Sequence, residues 1–558
     1  MIMRRPSLAL SSTLALALAT AACTVGPDYR ATAVKTPAHW AQAGSGGVIK
    51  TDPEADRQLL QWWAEFRDPE LDSLVRRAVA GNLNLQIATQ RIVEARAERR
   101  ATAADLYPHL GAGGMGSRAR ISDHLISLPG ASGAGMGAAG MSAAQSEGAS
   151  SSFGGVNNSF VLGFDASWEF DLFGKTRRAV EARDAEVQQA VERRHDALVT
   201  LLSDVATSYS ALRSAQERLE IAERNIKVEQ DILDLTGARF HNGLSPELDV
   251  AQARAQLASV HSSVPELQNT IGENIHALAI LIGANPGDLE TELQRPGVLP
   301  PVPPVLPAAL PGDVVRNRPD IREAERAVMA ANAEIGVAIA NKYPSFKISP
   351  DLGLLSNKID KMFNDGSLSW TFGPSVSLPI FEGGKLDAAE DLAKAETAEA
   401  RLAYRQTVLQ AFREVEDALL GYQTSELRRQ ALRDEVQASG IAFQRAGERY
   451  RSGLSDFTAV LNTEQSVLSS QDSLAQADFA VLRSTVALYK ALGAGWQSLD
   501  TDPDKAPAIP GVASGAGPGV SADLVPTGAP IPVANGTSLH SGAVPINAAP
   551  INAANGQH

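Results

Sequence analysis

A search for reactive groups along the 558 residues finds little from which to build an enzyme. The nine His are scattered without metal-ligand spacing, H-E-x-x-H does not occur, and no second cysteine exists to share a zinc ion. "GAGGMG" at residues 111–116 fits G-x-G-x-x-G. It opens a Ser/Gly loop rather than a helix and no βαβ unit surrounds it, so nucleotide binding is rejected. Asp and Glu pairs fall at solvated helical spacings, and nothing pairs a nucleophile with a base. The sequence therefore predicts no enzyme, no cofactor and no metal. Two kinds of group remain: the single cysteine, Cys23, and a set of glycines and carboxylates that recur along the chain.

Cys23 follows a segment that explains it. Arg4 and Arg5 form a positive start, Leu8 to Ala19 an apolar stretch, and Thr20-Ala21-Ala22 a run of small residues. That is a secretory signal over residues 1–22. One reading leaves Cys23 a bystander to ordinary cleavage. The other makes it the acylated first residue of an exported lipoprotein, and the site resembles a lipobox with Thr20 where Leu is usual. A lone exported thiol without a disulfide partner favours acylation. Thr24, where Asp would retain the protein at the inner membrane, points by the same resemblance to the outer membrane.

Bulk composition agrees with export. The formal charge is −14, from 50 basic and 64 acidic residues, with no basic stripe for nucleic acid. Past the signal no run of 18 apolar residues exists, so a membrane crossing would have to use strands closed into a barrel.

The chain repeats itself. "GARFHNGLS" at 237–245 returns as "GERYRSGLS" at 447–455, Gly174-Lys175 as Gly384-Lys385, and Gly283-Ala284 as Gly493-Ala494, each 210 positions on. Tyr107-Pro108 returns as Tyr343-Pro344 at 236. The first copy thus holds 26 additional residues before Gly174, in a Gly/Ala-rich loop. The expected organisation is a 23–55 N-terminal linker, a first repeat at 56–290, a Pro-rich linker at 291–310, a second repeat at 311–496 and a disordered Pro/Gly/Ala/Asn-rich tail at 497–558. Each copy reads as helix, two strands, a very long helix, a Gly-Leu-Ser turn and a shorter returning helix.

The strands alternate with period two, near 108–118, 158–173, 345–356 and 369–381. Phe160, Leu162, Phe164, Ala166, Trp168, Phe170 and Leu172 share one face, with Asp165, Ser167, Glu169 and Asp171 opposite. Trp370, Phe372, Val376, Leu378 and Ile380 alternate likewise with Ser and Thr. This fits lipid on one side and water on the other, with Trp168 and Trp370 as an interfacial girdle. A soluble sheet with one wet face is the alternative. Four strands cannot close a membrane barrel, and an open sheet in lipid leaves its edges unpaired, so the barrel must be shared among chains. Three copies give twelve strands; two copies stay open on this argument. Residues 175 to 236 hold neither Gly nor Pro, roughly 93 Å of helix. Hairpins 174–283 and 384–493 could pack as a solid bundle or as a hollow wall.

A doubled unit of this kind behind a lipoprotein signal resembles the TolC-like outer-membrane efflux factors, in particular the NodT-type lipoproteins. "CTVGPDY" (23–29), "WWAEFRDPELDSLV" (62–75) and "LYKALGAGW" (488–496) carry the resemblance, which spans Cys23 to about Trp496. It implies a homotrimer with a shared β-barrel continuous with a long periplasmic α-helical barrel, a passive exit duct for drugs or other small molecules. It also implies a periplasmic adaptor and an inner-membrane pump, with the lipoprotein branch leaning to the proton-driven resistance-nodulation-division type. Gly243, Leu244, Ser245, Gly453, Leu454 and Ser455 become candidate docking residues. Asp249 and Tyr450 match the family's closed-gate contact, whereas Ser455 stands where an arginine usually joins them. Ala459 and Asn462 occupy the places of the family's acidic ring, which would move to Asp456 or Glu464. The competing reading is a trimeric coiled-coil structural or adhesive surface lipoprotein.

Overall fold

The structure is a computed structural model that describes residues 24–41, 49–50, 59–120, 156–303, 306–307 and 311–499. All lie in the first of two compact units, residues 1–501. Cys23 and the signal, most of the 118–157 loop and all but the first three residues of the 497–558 tail lie outside the described residues.

"WWAEFRDPELDSLV" folds first as a tight 3₁₀ turn, Trp62–Phe66, whose end places Arg67 at φ 51°. Asp68 then caps α1 (Pro69–Gly81), accepting from Glu70 N–H at 2.9 Å and Leu71 N–H at 3.3 Å. A short acid at N-cap with Pro next is a strong local start for a helix. α2 (Leu83–Ala104) leads to the strands β1 (His109–Arg120) and β2 (Val156–Phe170). α3 (Lys175–His241) and α4 (Glu247–Leu281) form the first hairpin, of 67 and 35 residues.

α5 (Pro319–Ala340) opens the second half. It precedes β3 (Ser345–Ile348), β4 (Asp351–Ser356), β5 (Leu368–Thr371) and β6 (Pro374–Ser377). α6 (Lys385–Arg451) and α7 (Phe457–Ala491) form the second hairpin, again of 67 and 35 residues. α3 and α6 are each about 100 Å long at 1.5 Å per residue. The region 291–310 is not a plain linker: a helical turn covers Glu290–Leu293, and Leu306–Pro307 pairs in parallel with Ile49–Lys50.

The sheet is antiparallel. All of β1 pairs with β2 on one side, from His109↔Ser167 to Arg120↔Val156. On its other side β2 pairs with β3 and β4 in turn. β5 pairs with β4, and β6 with β3. The segments expected at 345–356 and 369–381 are therefore each broken once. The first break is at Ser349-Pro350, where proline has no N–H for the ladder. Its carbonyl still accepts from Ala166 N–H at 2.9 Å. The second break is at Phe372-Gly373, and β6 ends at Ser377, short of Leu378 and Ile380. "GAGGMG" lies inside β1, not in a loop.

Register carries the alternation across strands. Ala112, Phe164, Leu352 and Trp370 stand level on one face, and Gly111, Asp165, Asp351 and Thr371 on the other. On the polar face Lys347 Nζ meets Glu169 Oε2 at 3.0 Å. The apolar face is open, with Phe164 59 % and Trp370 71 % exposed. Among the described residues no helix is long and apolar enough to cross a membrane.

The core sits where the hairpins meet α1. Trp62 stacks on Tyr489 with ring centroids 4.9 Å apart, and Phe66 lies edge-on to the same tyrosine. Leu198, Leu202, Val205, Tyr209 and Leu212, the apolar stripe of α3, are buried there. A polar web ties it together. Tyr209 Oη donates to Asp68 Oδ2 at 2.6 Å, and Arg213 donates to Tyr209 Oη at 3.0 Å, to Glu70 at 2.6 Å and to the Arg295 carbonyl at 3.0 Å. Two smaller clusters follow, one between α5 and α6 and one behind the hairpin turns.

Candidate functional site

Both hairpin turns are built alike. Gly243 (φ 69°) and Gly453 (φ 72°) take the left-handed conformation just past the helix ends. Gly243 N–H donates to Phe240 O at 2.9 Å and Leu244 N–H to Arg239 O at 2.8 Å. Gly453 N–H donates to Tyr450 O at 3.0 Å and Leu454 N–H to Arg449 O at 2.9 Å. This bond pair closes a helix through a residue at positive φ, which favours glycine. No atom lies within 4 Å of a Cβ added at either position, so the demand is conformational and not steric. The turns push Leu244 and Leu454 outward, 66 % and 67 % exposed. Ser245 and Ser455 turn inward, their hydroxyls buried without a hydrogen bond of full geometry.

Behind the turns Tyr450 is buried with Ala253, Ala446, Phe457 and Val460. Its ring lies 5.6 Å from that of Phe457, and the Arg239 guanidinium stands over it at 4.6 Å. Asp249 is half-buried nearby, but the expected latch is not closed as a hydrogen bond: Tyr450 Oη has no partner of full geometry. The two groups still sense each other. Burial raises the Tyr450 phenol and the Asp249 carboxylate raises it further. Burial also raises Asp249, opposed by Tyr450 and Arg239.

Arg239 thus places a positive charge beside Tyr450 and Asp249, and sequence reasoning passed over it. The signal was present: both tip motifs, "GARFHNGLS" and "GERYRSGLS", carry arginine four residues before the glycine. The second, Arg449, donates to the Leu454 carbonyl at 3.3 Å.

The other acids divide by task. Asp456 caps α7, accepting from Ala459 N–H at 3.1 Å. Asn462 is exposed and Ala459 half-buried. Glu464 cannot take over an acidic ring facing water, because its place on α7 turns it inward and leaves it 3 % exposed.

At the opposite end the sheet meets the helices. Trp168 lies on the apolar face and donates to the Leu106 carbonyl at 3.0 Å. Trp370 stands level with Phe164, four residues farther from the helices, or about 13 Å along a strand. Residues 24–28 lie against this junction. Val25 N–H donates to Phe173 O at 3.1 Å. Arg178, on the first turn of α3, donates to the carbonyls of Val25 (3.1 Å) and Gly26 (3.2 Å) and to Asp28 (2.8 Å). Gly174 (φ 82°) allows the approach, since a Cβ there would meet Thr24 Cγ2 at 2.2 Å.

An amphipathic sheet set on paired helical hairpins of about 100 Å, with matched glycine turns at their far ends, is the build of a TolC-like outer-membrane channel. The chain belongs to the outer membrane efflux protein family, whose family model matches residues 74–284 and 310–494. It is similar to the antibiotic efflux pump outer membrane protein ArpC of Pseudomonas putida, at 32 % identity over 85 % of this chain and 93 % of that protein. It is also similar to the cation efflux system protein CusC of Escherichia coli, at 31 % identity over 86 % and 98 %. Of solved structures, the outer-membrane channel OprN matches with a TM-score of 0.74 and 33 % identity, over 85 % of this chain and all of that one. A CusC structure matches with a TM-score of 0.70 and 28 % identity.

Proposed function

We propose that three copies of this chain form the exit duct of a tripartite efflux pump. Each copy contributes four strand positions to a twelve-stranded outer-membrane barrel and two hairpins to a periplasmic tunnel. The observation that carries the proposal is the sheet: its apolar face is exposed in register, and the outer edges of β1 on one side and of β5 and β6 on the other have no strand partner among the described residues. Edges of this kind cannot face lipid unpaired, and pairing them between copies closes the barrel. The matched lengths of α3 and α6, and of α4 and α7, support descent of both halves from one repeated unit.

The tips are the docking and gating end. Leu244 and Leu454 offer apolar side chains to a periplasmic adaptor, and Tyr450, Asp249 and Arg239 form the closing contact behind them. Trp168 and Trp370 face the lipid. Solutes pass by passive diffusion once an inner-membrane pump delivers them, and the resemblance to NodT-type lipoproteins favours a pump of the proton-driven resistance-nodulation-division class. Cys23 carries the lipid anchor; the docking of Thr24 beside the base of the sheet supports this, because a neighbouring acyl chain would lie at the membrane edge. The prediction is that Cys23→Ser abolishes incorporation of radiolabelled palmitate.

The deciding experiment places cysteine at Leu454, the exposed tip residue, in a Cys23→Ser background. Crosslinking in cells and mass spectrometry should capture a periplasmic adaptor. Capture of surface proteins alone would overturn the duct reading.

A further inference from the structure

Among the described residues, two carboxyl groups sit inside the hairpin wall with no cation among the side chains that bias them. Glu229 of α3 is 1 % exposed and Glu464 of α7 is 3 % exposed. None of their four oxygens accepts a hydrogen bond of full geometry from an N–H or hydroxyl group. The side chains that bias them, among the described residues, are Gln256 of α4 and the two carboxyls themselves. Gln256 is in turn held by Gln465 Nε2, which donates to its Oε1 at 3.4 Å. Glu229 lies 12 residues before the end of α3 at His241, about 18 Å along the helix, and Glu464 lies 7 residues after α7 begins at Phe457, about 10 Å. The pair thus stands between the tip cluster and the mid-helix core.

Two bare carboxylates in such a place would be costly. An unpaired buried charge loses its hydration without recompense, and carboxylates at close range repel. A single proton removes both difficulties: one group becomes a donor, the other accepts, and one negative charge is left.

We propose that Glu229 and Glu464 form a proton-binding site in the hairpin wall, in which one shared proton bonds α3 to α7 and its release to bulk water sets the two helices against each other. Burial and the neighbouring carboxyl push Glu464 up to about 8, and burial raises Glu229. The pair titrates as a unit. The folded chain holds more protons than the unfolded chain between the ordinary glutamate range, about 4.3, and about 8. Stability from the site is therefore full below that window, falls as pH rises through it and is gone above it, by up to about tenfold in the folding constant per pH unit. The effect on conduction rests on reading the tips as a gate: helices pushed apart just above them would loosen closure at high pH.

The test uses the purified mature protein in detergent, as wild type and as the Glu229→Gln/Glu464→Gln double variant, in which both side chains mimic the neutral form. Infrared spectra at pH 7 should show a buried protonated carboxyl in the wild type that the double variant lacks. Thermal unfolding from pH 5 to 9 should lose more stability in the wild type than in the variant. Equal pH slopes, or spectra without that carboxyl band, would overturn the proposal. Planar-bilayer conductance separates the two readings. A proton band and slope with pH-independent conductance would keep the site and reject its link to the gate.

Discussion

Arginine placement decides the chemistry of the tips at the residue scale. The cation–π contact of Arg239 with Tyr450 contributes about 0.5–2 kcal/mol in a partly desolvated setting. The same guanidinium opposes the rise in the Asp249 pKa. Arg239→Ala should therefore raise the open probability of the reconstituted channel several-fold, measured as single-channel conductance at neutral pH. Arg239→Lys should recover only part, since a compact ammonium stacks poorly on an aromatic face. Arg449→Ala, which removes only a bond to the Leu454 carbonyl, should change conductance little. Equal effects of the two alanine variants would remove Arg239 from the gate. Tyr209→Phe tests the core at the same scale. It deletes the 2.6 Å bond to Asp68 and the 3.0 Å bond from Arg213. Bonds involving charged groups contribute about 1.5–3 kcal/mol, so a clear fall in thermal midpoint is expected.

At the element scale the two halves give a matched comparison. Gly174 and Gly384 both open a 67-residue helix in the left-handed conformation, at φ 82° and 86°. Added Cβ atoms would differ sharply. At Gly384 nothing lies within 4 Å, whereas at Gly174 Thr24 Cγ2 lies at 2.2 Å. Gly384→Ala should incur only backbone strain, about 1–2 kcal/mol. Gly174→Ala should incur that and also displace residues 24–28 from the sheet base. Limited proteolysis of the N-terminal segment would separate them, with faster cleavage expected in Gly174→Ala alone.

At the scale of the whole molecule the open sheet edges matter most. The polar and apolar faces are sorted within one chain, and among the described residues the outer edges of β1 and of β5–β6 carry no strand partner. Cysteine pairs placed across these edges, one on β1 and one on β5, should give covalent trimers on oxidation, read on a denaturing gel. A ladder ending at dimers would replace the twelve-strand closure with another one.

Much was legible from sequence because it depends on local rules. The 210-residue repeat fixed the lengths of α3, α4, α6 and α7 and the glycine turns, since helix ends and left-handed caps are set by residues within one turn. Alternation identified the strand faces for the same reason, although the breaks at Ser349-Pro350 and Phe372-Gly373 were invisible to a pattern of period two. What tertiary structure alone decided depends on which helix face meets which. Glu464 reads as a candidate for a water-facing acidic ring, yet packing turns it against Glu229, a residue 235 positions away. Arg239 carries no sequence signal beyond its place in the tip motif, yet the hairpins fold it onto Tyr450. Thr24 reads as the sorting position after Cys23, yet Gly174 lets it approach the base of the sheet. A linear pattern records spacing along one element; burial, charge pairing and close approach arise only between elements.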